Sequence, residues 1–353
     1  MKVALIGTGR IGEVHGQLLG AQPGVQLIVS DADPDRARTS AARLGAETAA
    51  GVEEAFDGAD AAVIAASTDA HARLVSMAVD RGIPTFVEKP LAFDLPQTEA
   101  LVDKIESSGV PVQVGFQRRF DAGYREARRM VESGELGVVY LVRLIAHDHQ
   151  PPPDAYIPIS GGLFRDSSIH DFDSLRWLTG QEVEELHAVG TVRAFPVFAR
   201  HHDVDTAAVV LRLRDGTIAL LGQTRHDPRG YDVRVELIGS RDAVSVGLGP
   251  NTPLRPVERE PASAIGAGWT GFLGRFEAAY RAELLAFLRV VAGEQESECT
   301  ARDALEAMRI SVAATRSRLD GRPVMLADLG AREQSAAVTV PASERGGEEA
   351  VGT

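Results

Sequence analysis

The run Val3-Ala4-Leu5-Ile6-Gly7-Thr8-Gly9-Arg10-Ile11-Gly12 decides the fold of the first third of the chain. Its apolar start suits a strand buried on both faces of a parallel sheet. The Gly-x-Gly-x-x-Gly that follows suits a tight turn into a helix with Ile11, Val14, Leu18 and Leu19 on its inner side. The first glycine permits the turn, the second lets a pyrophosphate approach the backbone, and the third lets helix and strand pack closely. With 35 glycines in 353 residues the pattern alone is weak, and its place between strand and helix gives it meaning. Gly7, Gly9, Arg10, Ile11 and Gly12 are therefore the expected phosphate cradle, at a helix N-terminus whose unpaired N–H groups favour anions.

Outward from that turn, strand signals recur at 25–29, 61–66, 84–87 and 112–116, with alanine-rich helical stretches such as 36–44 and 71–81 between them. Such alternation implies an α/β Rossmann domain over 1–120, a doubly wound parallel sheet with right-handed crossovers. Asp31, nineteen residues past Gly12, ends the second strand, where an acid hydrogen-bonds the adenosine ribose. Its charge repels a 2′-phosphate and the next residue is Ala32, so NAD is favoured over NADP; the plainer reading is a surface-turn aspartate. Beyond 120 the signals lengthen, at 138–146, 204–213, 217–223 and 233–239, with Arg214-Asp215-Gly216 as a hairpin turn. They predict an α+β domain over 121–330 with a large, mostly antiparallel open sheet. A long amphipathic helix spans 276–291. Segments 150–154 and 247–274 read as irregular, and 331–353 as a disordered tail.

Composition narrows the classes. With 44% hydrophobic and 25% charged residues the chain is ordinary globular protein. Its single cysteine, Cys299, excludes an intrachain disulfide. There is no apolar run of the ~20 residues that cross a bilayer, and the N-terminal apolar run is too short for a signal peptide. The expectation is a cytoplasmic protein without a membrane partner. A net charge of −13 disfavours nucleic acid.

Two further motifs carry chemistry. Glu88-Lys89-Pro90 follows the strand 84–87, at the strand end where ligands bind in such sheets. A lysine there stabilises negative charge on a reacting oxygen, unless it is merely a solvated loop residue. The second is Gly161-Gly162-Leu163-Phe164-Arg165-Asp166-Ser167-Ser168-Ile169-His170-Asp171-Phe172-Asp173. A helix from near 166 to 178, closed by Gly180, puts Asp166 and His170 at i and i+4 on one face. A histidine is suited to take a proton from an alcohol as hydride leaves the same carbon. A carboxylate beside it would orient the ring and favour the imidazolium. The plainer reading is an N-cap aspartate and a surface histidine. His147/His149 and His201/His202, with Asp203 and Asp205, lack a recognised ligand spacing, so no metal is expected.

Together with Val114-Gly115-Phe116-Gln117-Arg118-Arg119-Phe120-Asp121, these motifs resemble the glucose–fructose oxidoreductase/inositol dehydrogenase/rhizopine-catabolism (Gfo/Idh/MocA) family, and within it the inositol 2-dehydrogenases. The resemblance covers roughly 1–325 and extends to Val204-Asp205-Thr206, Gly230-Tyr231-Asp232, Arg275-Phe276, Ala279-Tyr280 and Glu283. It implies His170 as acid/base, Asp166 as its partner and a substrate ligand, and Lys89 as ligand of the reacting hydroxyl. It implies Ser67, Thr68, His71, Glu88, Lys89 and Gln117 beside the cofactor, with Gln117 also near substrate; helix capping is a second reading of Ser67–His71. His147, Asp148 and Tyr231 would border the substrate. A homotetramer packed through the open sheet is also implied. Two segments depart from the pattern: Arg229-Gly230-Tyr231-Asp232 stands for Tyr-Gly-Tyr-Asp, and His147-Asp148-His149-Gln150 for Arg-Asp-Pro-Ala. The expected activity is NAD-dependent oxidation of a ring hydroxyl of inositol, or of a related cyclitol or sugar, to the ketone. The rivals are a dehydrogenase of aminocyclitol or amino-sugar synthesis, an NAD-dependent glycosidase, and a non-catalytic NAD-sensing protein.

Overall fold

The computed structural model describes residues 1–257 and 266–329; the tail expected at 331–353 lies outside them. The first sheet contains β1 (Lys2–Ile6), β2 (Gln26–Ser30), β3 (Glu47–Thr48), β4 (Ala61–Ile64), β5 (Thr85–Glu88) and β6 (Val112–Gly115). Their order is β3-β2-β1-β4-β5-β6, and every pair is parallel. Between them run α1 (Arg10–Gly20), α2 (Pro34–Leu44), α3 (Val52–Phe56), α4 (Thr68–Val79) and α5 (Leu95–Ser108). Val3 and Leu5 enter one apolar core while Ala4 and Ile6 enter another, which is why β1 reads as an unbroken apolar run. β1 lies between β2 and β4, so the strand order reverses beside the glycine turn. That reversal leaves a crevice at the strand C-termini, the usual ligand position in this architecture.

After α6 (Ala122–Glu132) come β7 (Val139–His147), α7 (Ile169–Thr179), β8 (Val183–Thr191), α8 (Val197–Arg200), β9 (Thr206–Leu213), β10 (Ile218–Thr224), β11 (Asp232–Gly239) and β12 (Ala243–Val246). The chain continues with α9 (Phe272–Val291), α10 (Ala301–Asp320) and β13 (Val324–Met325). The second sheet has the order β12-β11-β7-β10-β9-β8-β13. It is antiparallel except between β7 and β10, and is therefore mixed. Helices α7 and α10 cover one face. The other exposes Val189, Val210 and Leu220.

Several elements escaped the sequence reading, among them β8 and the helices α5, α6 and α10. The long helix starts at Phe272 rather than Phe276, where the backbone departs from helical geometry. The boundary at 120 separates the sheets but not the helices. Leu284 and Phe287 of α9 join the core under Val3 and Leu5, and Ala304, Leu305, Ala307 and Met308 of α10 join the core under Ala4 and Ile6. Among the described residues no helix is long and apolar enough to cross a membrane.

Candidate active site

The glycine turn has the shape a dinucleotide needs. Gly7 has φ +92°, and a Cβ there would lie 2.6 Å from the Ala66 nitrogen. A Cβ on Gly12 would lie 2.1 Å from the Gly7 oxygen, so both positions admit only glycine. Gly9, the residue before α1, has open space around it and its helix end carries no side-chain cap. Its uncapped N–H groups are thus available to phosphate. Ile11 packs against the core, while exposed Arg10 lies over the Phe272 ring at 4.7 Å.

Asp31 is more occupied than the sequence implies. Its carboxylate accepts from the Thr8 N–H (2.7 Å) and hydroxyl (2.9 Å), the Asp33 N–H (2.9 Å) and Arg36 Nη2 (2.6 Å). Burial raises its pKa, but these bonds, Arg36 first, outweigh burial and take it down to about 2. It therefore ties the glycine turn to α2. Arg36, a cation five residues on, also qualifies the argument from Ala32.

Lys89, Asp166 and His170 come together from two domains. Lys89 follows β5, and its Nζ donates to the Asp166 carbonyl oxygen (2.7 Å) and lies 3.6 Å from Asp166 Oδ1. Asp166 sits in a single π-helical turn, Phe164–Ser168, that leads into α7. Such turns recur at functional sites. The expected helix thus starts as a π turn, and Gly180 closes it in a left-handed conformation.

Asp166 does not hydrogen-bond His170, contrary to the dyad read from their spacing. Arg225 Nη1 holds its Oδ2 at 2.8 Å, and the Tyr156 hydroxyl donates to its Oδ1 at 2.9 Å. Burial alone would raise the Asp166 pKa, yet Arg225 and Lys89 hold it below the usual carboxylate range. His170 stands edge-on to Phe116, with centroids 5.7 Å apart, and its Nδ1 has no partner among the described residues. Burial, aided by the charges of Lys89 and Arg118, pushes its pKa well below that of a free histidine. The ring is therefore neutral, not the imidazolium the spacing suggests.

The turn after β6 holds these parts in place. Arg118 Nη1 pairs with Asp171 at 2.5 Å, and Arg119 grips Asp173 through Nε (2.9 Å) and Nη2 (2.6 Å). Both pairs are buried and fasten the nucleotide domain to α7, which carries His170. Gln117, in the same turn, is buried with its Oε1 unpartnered among the described residues.

The remaining predicted residues scatter. Ser67 and Thr68 start α4 without a side-chain cap, so capping does not occupy Ser67. His71 is buried, with Nδ1 2.8 Å from the Pro90 oxygen and Nε2 3.1 Å from the Ala66 oxygen, and it fastens the Lys89 turn from within. Glu88 is engaged by His15, whose Nε2 lies 2.7 Å from its Oε1. Asp148 joins the cluster through Arg225 Nη1 at 3.5 Å, and burial raises its pKa. Tyr231 is buried, and its N–H donates to the Trp269 oxygen at 2.6 Å. His147 belongs to another group, its Nδ1 3.5 Å from Asp227 Oδ2. With Asp232 these residues bring one ligand atom each within 4.8 Å of one another, a grouping the paired histidines did not suggest. Arg234 already holds both Asp232 oxygens, at 2.7 and 3.0 Å. Arg225, Tyr156 and His15 were missed, since none of them lies in a motif of the sequence; Arg118 stands inside the motif 114–121 but had no role assigned to it.

Comparison with known proteins fits this architecture. Residues 1–116 match the family model of oxidoreductases with an NAD-binding Rossmann fold, and residues 124–245 match the GFO/IDH/MocA C-terminal domain. A myo-inositol dehydrogenase of Streptomyces leeuwenhoekii is 42% identical over 91% of this chain and 98% of its own length. The chain belongs to the Gfo/Idh/MocA family. Among solved structures, a Corynebacterium glutamicum myo-inositol dehydrogenase superposes with TM-score 0.85 at 33% identity, covering 92% of this chain and 98% of that one. The Lactobacillus casei scyllo-inositol dehydrogenase with bound NAD(H) and scyllo-inositol superposes with TM-score 0.82 at 28% identity, covering 93% and 99%. This Gfo/Idh/MocA member is thus an inositol-dehydrogenase-like, NAD-dependent oxidoreductase.

Proposed function

We propose that the protein oxidises one ring hydroxyl of inositol, or of a related cyclitol or sugar, to the ketone, using NAD. The observation that carries this reading is the meeting of Lys89 with Asp166, next to a neutral His170, at the crevice beside the glycine turn. A carbinol loses a proton and a hydride on oxidation, and bound NAD supplies the hydride acceptor. Neutral His170 takes the hydroxyl proton, since only the unprotonated ring has a free lone pair. The Lys89 ammonium stabilises negative charge as it grows on the same oxygen. Asp166, held ionised, accepts from neighbouring hydroxyls. Buried polar groups left unpaired by a smaller or deoxygenated substrate are costly, which favours a hydroxyl-rich ligand.

NAD is preferred to NADP because Asp31 meets the adenosine ribose with its charge and already engages Arg36. The protein assembles as a homotetramer through the uncovered sheet face, where Val189, Val210 and Leu220 stand exposed. NADH formation by purified protein across inositol isomers and pyranoses, repeated with NADP, tests the reading. Turnover with at least one inositol and NAD is expected; no turnover with any polyol would refute it. An aminocyclitol substrate remains the main rival, since the loop 147–150 and Arg229 depart from the inositol dehydrogenase pattern.

A further inference from the structure

Arg225 is the charged residue of the site that no motif announced. It follows β10 at its C-terminal end, beside the end of β7, where Thr224 pairs with His147 in parallel register and the Asp148 N–H donates to the Thr224 oxygen at 3.0 Å. Its side chain is 3% exposed. Nη1 serves two carboxylates, Asp166 at 2.8 Å and Asp148 at 3.5 Å, while Nε and Nη2 have no partner among the described residues. A buried arginine kept only for packing stability normally spends all its donors on neighbours. Here the one nitrogen in use is shared between Asp148 and, at the shorter distance, the carboxylate that would otherwise be the neighbour of His170 along the helix.

We propose that Arg225 is a positioning residue: by pairing with Asp166 it keeps that carboxylate off the His170 ring and fixes it as an acceptor for substrate hydroxyls. The proposal rests on the polyol reading for its substrate but not for its geometry. Three elements bring charge to the two groups. Lys89 comes from the end of β5, Arg118 from the turn after β6 with Asp171 as its counter-ion, and Asp148 from the end of β7. The Tyr156 hydroxyl closes the ring of donors around Asp166. With Arg225 removed, Asp166 and Asp148 both lose this partner, and of the two it is Asp166 that lies one turn before His170.

The test follows the His170 imidazole by NMR in histidine-labelled protein, titrated with and without NAD, alongside steady-state kinetics. Arg225→Gln is expected to raise the titration of His170 by about one pH unit or more. The shift should vanish when the same change is made in an Asp166→Asn background. Arg225→Gln should also raise KM for the polyol about tenfold, with NAD affinity unchanged, and Arg225→Lys should recover most of the loss. Should Arg225→Gln not fold, Arg225→Met keeps the buried stem but removes the cation, and is expected to shift His170 in the same direction. An unchanged His170 titration in the variants, or a shift that persists without Asp166, overturns the proposal. Absence of polyol turnover in the wild type, with the titration shift present, refutes only the assigned reaction and leaves the positioning role standing.

Discussion

His15 and His170 each sit near an acidic residue, and the chain treats them in opposite ways. His15, on the helix after the glycine turn, is fully buried and has its carboxylate, Glu88, at 2.7 Å. Tyr280 and Phe86 meet its ring edge-on, at 6.0 and 5.2 Å between centroids. His170 has an aspartate four residues earlier, but Arg225, Tyr156 and Lys89 have claimed that carboxylate. One histidine is paired and silent, in the joint between the domains. The other is unpaired and neutral, beside the crevice. Spacing along a helix proposes a pair; competition among nearby charges decides whether it forms.

Replacing the two histidines should separate their roles. His170→Ala is expected to lower turnover about 10²–10⁴-fold, as for loss of a positioned acid/base, with NAD affinity nearly unchanged. His15→Ala should act on stability, by about 1–3 kcal/mol in chemical denaturation, because it leaves the Glu88 carboxylate short of its partner. If both variants lose turnover alike and neither loses stability, the contrast fails.

A third acid sharpens it. Glu283 on α9 is fully buried, and neither of its carboxylate oxygens has a partner among the described residues. Burial, then the charges of Glu88 and Asp173, raises its pKa well above the ordinary glutamate value. The folded chain therefore keeps a proton that the unfolded chain loses above about pH 4.5. Stability from this group is present at low pH and falls as pH rises, by about 1.4 kcal/mol per unit until the folded pKa is reached. Glu283→Gln removes that slope, so the variant should gain on the wild type with rising pH in thermal melts. His170 and His71 carry the opposite sign, since burial lowers both. Below about pH 6.5 the unfolded chain gains protons that the folded chain refuses, and stability falls on acidification.

Five of the six strands of the first sheet were legible, because strands buried on both faces are written as continuous apolar runs and the turn between β1 and α1 tolerates only glycine at Gly7 and Gly12; the two-residue, exposed β3 had no such run. The sequence carried the second sheet less fully. β8, with half-buried glutamates at its start, offers no clean alternation, and the parallel pairing of β7 with β10 has no local signature. Lys89, Asp166 and His170 were legible as residue types on the right elements. Their electrostatics were not, because Arg225 lies 59 residues beyond Asp166 (225 − 166) and reaches it only through the fold. The motif containing Gln117, Arg118 and Arg119 was visible as a pattern. Its physical purpose, two buried ion pairs that set α7 against the nucleotide domain, needed the structure.

The most direct test of this account is the pH dependence of kcat/KM for polyol oxidation between pH 5 and 9. With a neutral, unpaired His170 the profile should show no acid limb near the free-histidine value of about 6.5, and any such limb should lie well below it. A limb between pH 6 and 7 that disappears in the residual activity of His170→Ala would contradict the account. It would mean that Asp166 partners His170 in the working enzyme after all.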